Sequence, residues 1–196
     1  MKFEQYKTKQ EWRDALLPRL RGTDPAAAAA AGRIVCESLL GMKEMECASH
    51  LAFYSGLAYE IRLDSLIDVA LQLGKAIYLP RFNAASRNYE MANVSDREAD
   101  LVPGRLGIME PHPKAPVVAD NIRQQQLLWL VPGVGFDRRG RRLGRGAGHY
   151  DRMLARVTGL KVGVAYDWQL VNRLPSGPHD VSVDRVVTDA GLSTCR

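Results

Sequence analysis

The feature that most limits how this chain can fold is the order of patterns between residues 127 and 165. Leu127-Leu128-Trp129-Leu130-Val131 is an unbroken apolar run and reads as a buried strand. A glycine- and arginine-rich segment follows: Pro132-Gly133-Val134-Gly135-Phe136-Asp137-Arg138-Arg139-Gly140-Arg141-Arg142-Leu143-Gly144-Arg145-Gly146-Ala147-Gly148-His149-Tyr150-Asp151-Arg152. Residues 147–157 then read as a helix and 160–165 as a strand. Strand, turn, helix, strand is a βαβ unit, which implies parallel strands and a right-handed crossover. A second unit precedes it: a strand at 50–54, a helix at 62–73 stopped by Gly74, and a strand at 75–79 closed by Pro80. The expected fold class is therefore α/β.

The remaining elements fit around these units. Residues 7–20 are predicted to form an amphipathic helix with Trp12, Leu16, Leu17 and Leu20 on one side. Asp24 and Pro25 have the residue types of an N-cap and first helical position, so the alanine run 26–31 opens a second helix reaching about residue 40. Residues 89–94 alternate as a strand at or near an edge, 102–126 read mostly as loop, and 184–188 as a last short strand. No repeat or linker divides the chain, so residues 1–196 are expected to be a single domain. Ligands of such sheets bind beyond the carboxyl ends of the strands. Residues 55–60, Pro80-Arg81 and 132–151 all fall there.

The charge pattern narrows the ligand. A net charge of +5 favours anions without choosing among them. Five arginines lie between Arg138 and Arg145, and glycines alternate at 144, 146 and 148. Free backbone amides, a helix N-terminus and guanidinium forks together make a phosphate cradle. A nucleic-acid binder would interleave its basic residues with aromatics on a broad face, and few aromatics flank this loop. Cys36, Cys47 and Cys195 match neither a disulfide framework nor a zinc site. No apolar run approaches 18 residues, and the N-terminus lacks a signal-peptide core. A cytoplasmic protein with no membrane contact is expected.

The pattern Pro-Gly-x-x-Phe-Asp-x-x-Gly-x-Arg-Leu-Gly-x-Gly-x-Gly-x-Tyr-Asp resembles the signature of the 5-formyltetrahydrofolate cyclo-ligase (methenyltetrahydrofolate synthetase) family. Further segments resemble it in order: Lys9-Gln10-Glu11-Trp12-Arg13, with Trp in place of the usual Leu; Tyr59-Glu60-Ile61; Gly74-Lys75 with Leu79-Pro80-Arg81; Gly107-Ile108-Met109-Glu110-Pro111; and His179-Asp180 with Asp184. The resemblance spans roughly residues 9–188. Ala147 stands where the family has Gly or Lys, and His149 where it has an aromatic. The turn tolerates Ala147 unless that position needs a positive φ.

The resemblance implies a three-layer α/β/α sandwich with a mostly parallel, Rossmann-like sheet and N-terminal helices. It implies conversion of 5-formyltetrahydrofolate, in some cases polyglutamylated, and ATP to 5,10-methenyltetrahydrofolate, ADP and phosphate with Mg²⁺, by a monomer. The residues it implies for ATP are Lys9, Arg13, Arg142, Leu143, Gly144, Arg145, Gly146, Ala147, Gly148, His149 and Tyr150. For the folate they are Ser55, Leu57, Tyr59, Glu60 and Tyr150, with Glu60 taking the pterin N–H groups. Asp151 and Asp180 would hold Mg²⁺. Arg142 and Tyr150 would act at the reacting groups. Each has an ordinary alternative: Asp151 as a helix cap, Asp180 as a cap of the Pro178-His179 turn, Glu60 as a helix start, His149 as packing at the rim. Arg138, Arg139 and Arg141 read as a solvated loop face, and Cys36 and Cys47 as small buried hydrophobes. The rival functions are a phosphate-ligand binder without turnover and a phosphosugar enzyme on a related sheet.

Overall fold

The structure, a computed structural model, describes residues 6–118 and 127–195. It opens with α1 (Lys9–Arg21), capped reciprocally: the Thr8 hydroxyl accepts from the Glu11 amide at 3.2 Å, and the Glu11 carboxylate accepts from the Thr8 amide at 2.9 Å. Helix α2 (Pro25–Leu40) starts as its sequence dictates. Asp24 Oδ1 accepts from the Ala26 and Ala27 amides, each at 3.0 Å, and Pro25 takes the first helical position. Then come α3 (Lys43–Cys47), β1 (His50–Ala52), α4 (Asp64–Gln72), β2 (Ala76–Asn83), β3 (Asn88–Val94), β4 (Leu101–Pro103) and β5 (Met109–Pro111). The second half holds β6 (Leu127–Pro132), β7 (Gly135–Asp137), β8 (Arg142–Leu143), α5 (His149–Leu154), β9 (Leu160–Val164), β10 (Leu170–Val171), β11 (Arg185–Thr188) and β12 (Gly191–Thr194). No described helix is long and apolar enough to cross a membrane.

Seven strands form one sheet in the order β12-β11-β9-β6-β1-β2-β3. The five inner strands are parallel, and β3 and β12 close the edges antiparallel. Both expected βαβ units are present as β1-α4-β2 and β6-α5-β9. From β1 the chain winds outward to β2 and β3, then returns to the other side of β1 for β6. That reversal opens a crevice beyond the carboxyl ends of β1 and β6, where doubly wound sheets bind ligands.

Strand β6 shows how the layers form. Side chains alternate along a strand, so Leu128 and Leu130 join Val35, Leu39 and Leu66 of α2 and α4 in one core. Leu127, Trp129 and Val131 face the other way, toward Leu154 of α5, Phe136 and Val186. Helices thus cover both faces of a mostly parallel sheet, the three-layer arrangement expected. Helix α1 reaches the first of these cores only with Leu20, near its end. Its Trp12 and Leu16 pack against Val134, Leu143 and Val171 of a second, small sheet ordered β10-β7-β8. Burying Leu16 contributes roughly 1.5–3 kcal/mol, more than the roughly 0–1 kcal/mol of a partly exposed ion pair. Packing therefore sets this helix, and its charges follow.

Several expectations need correction. Strand β2 does not close at Pro80 but runs on to Asn83. The Phe82 amide points away from β3, to Glu110 Oε2 at 3.0 Å, and Pro80 shares that orientation two residues earlier. Its missing N–H thus faces a side that β1, ending opposite Tyr78, has already vacated. The segment 102–126 includes the β4-β5 hairpin, joined by a 3-10 turn at Arg105–Gly107; residues 119–126 lie outside the described residues. The helices expected at 62–73 and 147–157 are the shorter α4 and α5. Cys36 is buried as expected, but Cys47 is exposed.

Candidate active site

The segment after β6 folds on its own small sheet before it reaches α5. Asp137, fully buried, holds that fold: Oδ1 accepts from the amides of Arg139 at 2.9 Å and Arg141 at 3.0 Å, and Oδ2 from that of Leu174 at 2.9 Å. Arg141 is not a solvated loop residue, because its Nη1 donates to the Leu174 carbonyl at 3.0 Å; Arg138 and Arg139 are exposed, as expected. Leu143 is 1% exposed and belongs to the core under α1. Since α1 sits on this sheet, Arg13 Nε donates to the Gly144 carbonyl at 2.9 Å, and Lys9 Nζ lies 2.5 Å from both oxygens of Asp180. Four residues apart on one helix face, these two cations lean on the glycine loop and on the tail at 180.

The loop's shape rests on Gly146 at φ 108° and Gly148 at φ 67°, backbone that L side chains rarely adopt. Ala147 between them has no positive φ; among the described residues other than glycine only Arg87 does. Alanine is therefore compatible with this turn. His149 packs edge-on against Tyr89, with centroids 5.1 Å apart, and its Nδ1 lies 2.9 Å from Arg152 Nη2. Burial, with the charges of Arg152 and Arg105, holds its pKa below the ordinary value.

Arg142 is almost enclosed, with a side chain 3% exposed. Its Nη2 donates to Asp151 Oδ1 at 2.8 Å, and its guanidinium lies 5.6 Å from the Tyr150 ring centre. Its Nε is buried with no hydrogen-bond partner. Asp151 makes no cap for α5; it meets Arg142 and, at 3.4 Å, the Val181 amide. Tyr150 stands between this group and the next. Burial and the Glu60 carboxylate push its phenol far above the ordinary value, so it stays a protonated donor.

Glu60 lies in the segment between β1 and α4, 9% exposed. It starts no helix. Its Oε2 accepts from the Leu57 amide at 3.0 Å and its Oε1 from Arg145 Nη2 at 2.7 Å. Arg145, expected among the phosphate ligands, thus reaches across to Glu60, and its Nη1 donates to the Tyr59 hydroxyl at 2.8 Å. Ser55 Oγ is buried with no partner nearby.

These residues share one cavity of about 370 Å³. Ser55, Leu57 and Glu60 wall it on one side; Arg142, Asp151 and residues 144–145 and 147–150 wall it on the other. Tyr59, Leu143, Gly146, Lys9, Arg13 and Asp180 are not among the residues that line it. The sequence reading missed Tyr89, Arg105 and Ile108, which complete the wall. Ile108 belongs to the Gly107–Pro111 motif, which carries no local sign that it lines a cavity. Arg105 is placed by Glu110, whose Oε1 accepts from the Arg105 amide at 3.1 Å, and its guanidinium covers the Phe82 ring at 4.2 Å.

The expected metal ligands stand apart in their bonding. Asp180 is bound by Lys9 and by the Gly177 amide at 2.6 Å, as in the turn-cap alternative. Asp151 is paired with Arg142. Among the described residues, no three His, Cys, Asp or Glu side chains gather as a metal site. This donor set fits Mg²⁺ as an ion carried mainly by phosphate oxygens and water, with a carboxylate at the cavity wall.

Comparison with known proteins gives one answer. The family model described as "5-formyltetrahydrofolate cyclo-ligase family" matches residues 5–189. The 5-formyltetrahydrofolate cyclo-ligase of Mycolicibacterium smegmatis is 33% identical over 189 residues, covering 93% of this chain and 94% of that protein. A probable 5-formyltetrahydrofolate cyclo-ligase of Caenorhabditis elegans is 32% identical over 162 residues, 78% of this chain and 79% of that one. The solved 5,10-methenyltetrahydrofolate synthetase of Aquifex aeolicus superposes with a TM-score of 0.84 at 33% identity, over 96% of this chain and 93% of that one. With its sheet, its loop and nearly its whole length matched, this chain belongs to the 5-formyltetrahydrofolate cyclo-ligase family.

Proposed function

We propose that this protein converts 5-formyltetrahydrofolate and ATP to 5,10-methenyltetrahydrofolate, ADP and phosphate, acting as a single-domain monomer in the cytosol. The observation that carries the reading is the cavity itself. A carboxylate suited to pterin N–H groups, Glu60, and a glycine loop with a buried orphan donor, Arg142 Nε, meet there on either side of Tyr150.

The chemistry explains why both are needed. The N5 formyl group is an amide, and its oxygen is a very poor leaving group. Transfer of the γ-phosphoryl group to that oxygen releases ADP and leaves an electron-poor carbon. The N10 lone pair then attacks the carbon, the C–O bond breaks, and phosphate departs with the bonding electrons while N10 loses its proton. Phosphoryl transfer asks the protein for positioning and charge neutralisation more than for covalent help.

Glu60 anchors the pterin, with Ser55, Leu57 and Tyr59 lining its slot. The Gly144–Gly148 amides and Arg142 bind the phosphates, Lys9 and Arg13 add positive charge around them, and Arg145 ties the loop to Glu60. Tyr150, protonated, donates between the two substrates. Mg²⁺, when bound, would supply charge neutralisation, and Asp151 at the cavity wall is the residue that would hold it; Asp180, taken by Lys9 and the Gly177 amide, keeps the turn.

The test is absorbance growth of the methenyl product. Product is expected only when 5-formyltetrahydrofolate, ATP and Mg²⁺ are all present. No product in any mixture, or a rate indifferent to ATP, overturns the reading.

A further inference from the structure

A short segment that does not itself line the cavity bonds to the chain next to Glu60 and to Gly133 and Val134 of the wall. After β9 the chain makes a 3-10 turn, Asp167–Gln169, and enters β10. Tyr166 Oη donates to the Tyr59 carbonyl at 3.1 Å. Three residues on, Gln169 is 2% exposed and uses both ends of its amide. Its Oε1 accepts from the Tyr166 amide at 2.8 Å; its Nε2 donates to the Gly133 carbonyl at 2.9 Å and the Val134 carbonyl at 3.0 Å. One turn thus grips the peptide before Glu60 and the start of the glycine-rich segment. From the opposite flank the Tyr54 hydroxyl donates to the Ile61 carbonyl, so Glu60 sits between two carbonyls held by phenols.

We propose that Tyr166 and Gln169 are positioning residues for the reaction: Tyr166 sets where Glu60 meets the folate, Gln169 sets where the glycine segment leaves β6, and their shared turn fixes the spacing between the two substrates. This rests on the function proposed above. Phosphoryl transfer between two bound substrates depends on alignment, and a displacement near 1 Å can cost on the order of a hundredfold in rate. A phenol donor is well suited to the task. Burial, aided by the charges of Asp189 and Glu60, pushes Tyr166 up to about 12, so it donates across the whole neutral range. The interplanar angle of 6° with Trp168, at 5.8 Å between centroids, keeps its ring in place without the hydroxyl.

The experiment is steady-state kinetics of Tyr166→Phe and Gln169→Met beside the wild type, with melting temperatures recorded. Tyr166→Phe removes one oxygen and leaves the stacked ring. Its KM for 5-formyltetrahydrofolate is expected to rise about three- to tenfold, the equivalent of one neutral hydrogen bond, with KM for ATP near wild type. Gln169→Met is expected to raise KM for ATP more than KM for the folate. An unchanged folate KM in Tyr166→Phe, or equal rises in both constants, overturns the proposal even if the melting temperature falls. A Gln169→Met chain that does not fold overturns the assignment of Gln169, whose role is then folding. Wild-type protein that forms no methenyl product defeats the proposed function instead; active wild type with unaltered variants defeats only this inference.

Discussion

Arg145 Nη2 lies 2.7 Å from Glu60 Oε1, which fastens the glycine loop to the carboxylate on the opposite side of the cavity. The same guanidinium lies 5.2 Å from the Tyr59 ring centre and bonds its hydroxyl. Burial acts to lower the Arg145 pKa, but the Glu60 charge and the bonds to Glu60 and Tyr59 outweigh it, so the guanidinium stays charged. The residue expected to grip phosphate is thus bonded to Glu60 and Tyr59, the side proposed here for the folate.

That pairing sharpens the expectation for Glu60→Gln. One of the two acceptor oxygens becomes an NH₂ facing a donor, Arg145 or the Leu57 amide. A pterin donor would meet the same mismatch. Such a buried mismatch costs roughly 1–3 kcal/mol, so calorimetry should show folate affinity reduced by at least about fivefold, with nucleotide affinity near wild type. Unchanged folate binding would remove Glu60 as the pterin anchor.

Arg142 and Arg138 test the division of the arginines. Arg142→Lys keeps a charge beside Asp151 but loses the orphan Nε and the fork. Losing charge-assisted contacts of roughly 1.5–3 kcal/mol should raise KM for ATP by about tenfold or more. Exposed Arg138→Ala should leave it unchanged. Equal losses in the two variants, both folded, would contradict the assignment.

The glycine loop offers a contrast between neighbours. Gly146→Ala forces a Cβ onto backbone at φ 108° and should cost about 1–2 kcal/mol through strain, seen as weaker nucleotide binding and a lower melting temperature. Ala147→Gly changes no required conformation and should bind nucleotide as the wild type does. Tight nucleotide binding by Gly146→Ala would show that the loop's shape is not what the ligand meets.

The Lys9–Asp180 pair has a pH signature. Burial raises the Asp180 pKa, but Lys9 and the Gly177 amide outweigh it, and the net shift is downward. A carboxylate whose folded pKa lies below its unfolded value of about 3.9 stabilises the fold above that pH, and the contribution is lost as pH falls through the folded pKa. The melting-temperature gap between wild type and Asp180→Asn should therefore be constant near neutrality and shrink below about pH 4. A gap that persists at pH 2 would mean that asparagine acts through packing.

Much was legible in the sequence because it was local. Periodicity located both βαβ units, since a buried parallel strand and a one-sided helix leave distinct patterns over 5 to 12 residues. Asp24 and Pro25 announced α2, and Thr8-Lys9-Gln10-Glu11 carried a capping-box signal that would have started α1 at Lys9. The glycines at 144, 146 and 148 marked a tight turn, with two of them at positive φ. Strands of two to four residues such as β7, β8, β10 and β12 show no period, and Pro80 sits in β2 only because its neighbour strand has ended.

Partnership was decided by the tertiary structure alone. Lys9 with Asp180, Arg145 with Glu60, and Gln169 with Gly133 and Val134 join residues 171, 85 and 35–36 positions apart. A hydrogen bond acts over about 3 Å and is blind to sequence separation. A charge far from its partner along the chain therefore carries no local sign of it. Residue types and local patterns determined the elements and the family signature of the glycine-rich segment. Which cation meets which carboxylate was decided by the packing of α1 on its small sheet and by the reversal between β1 and β6.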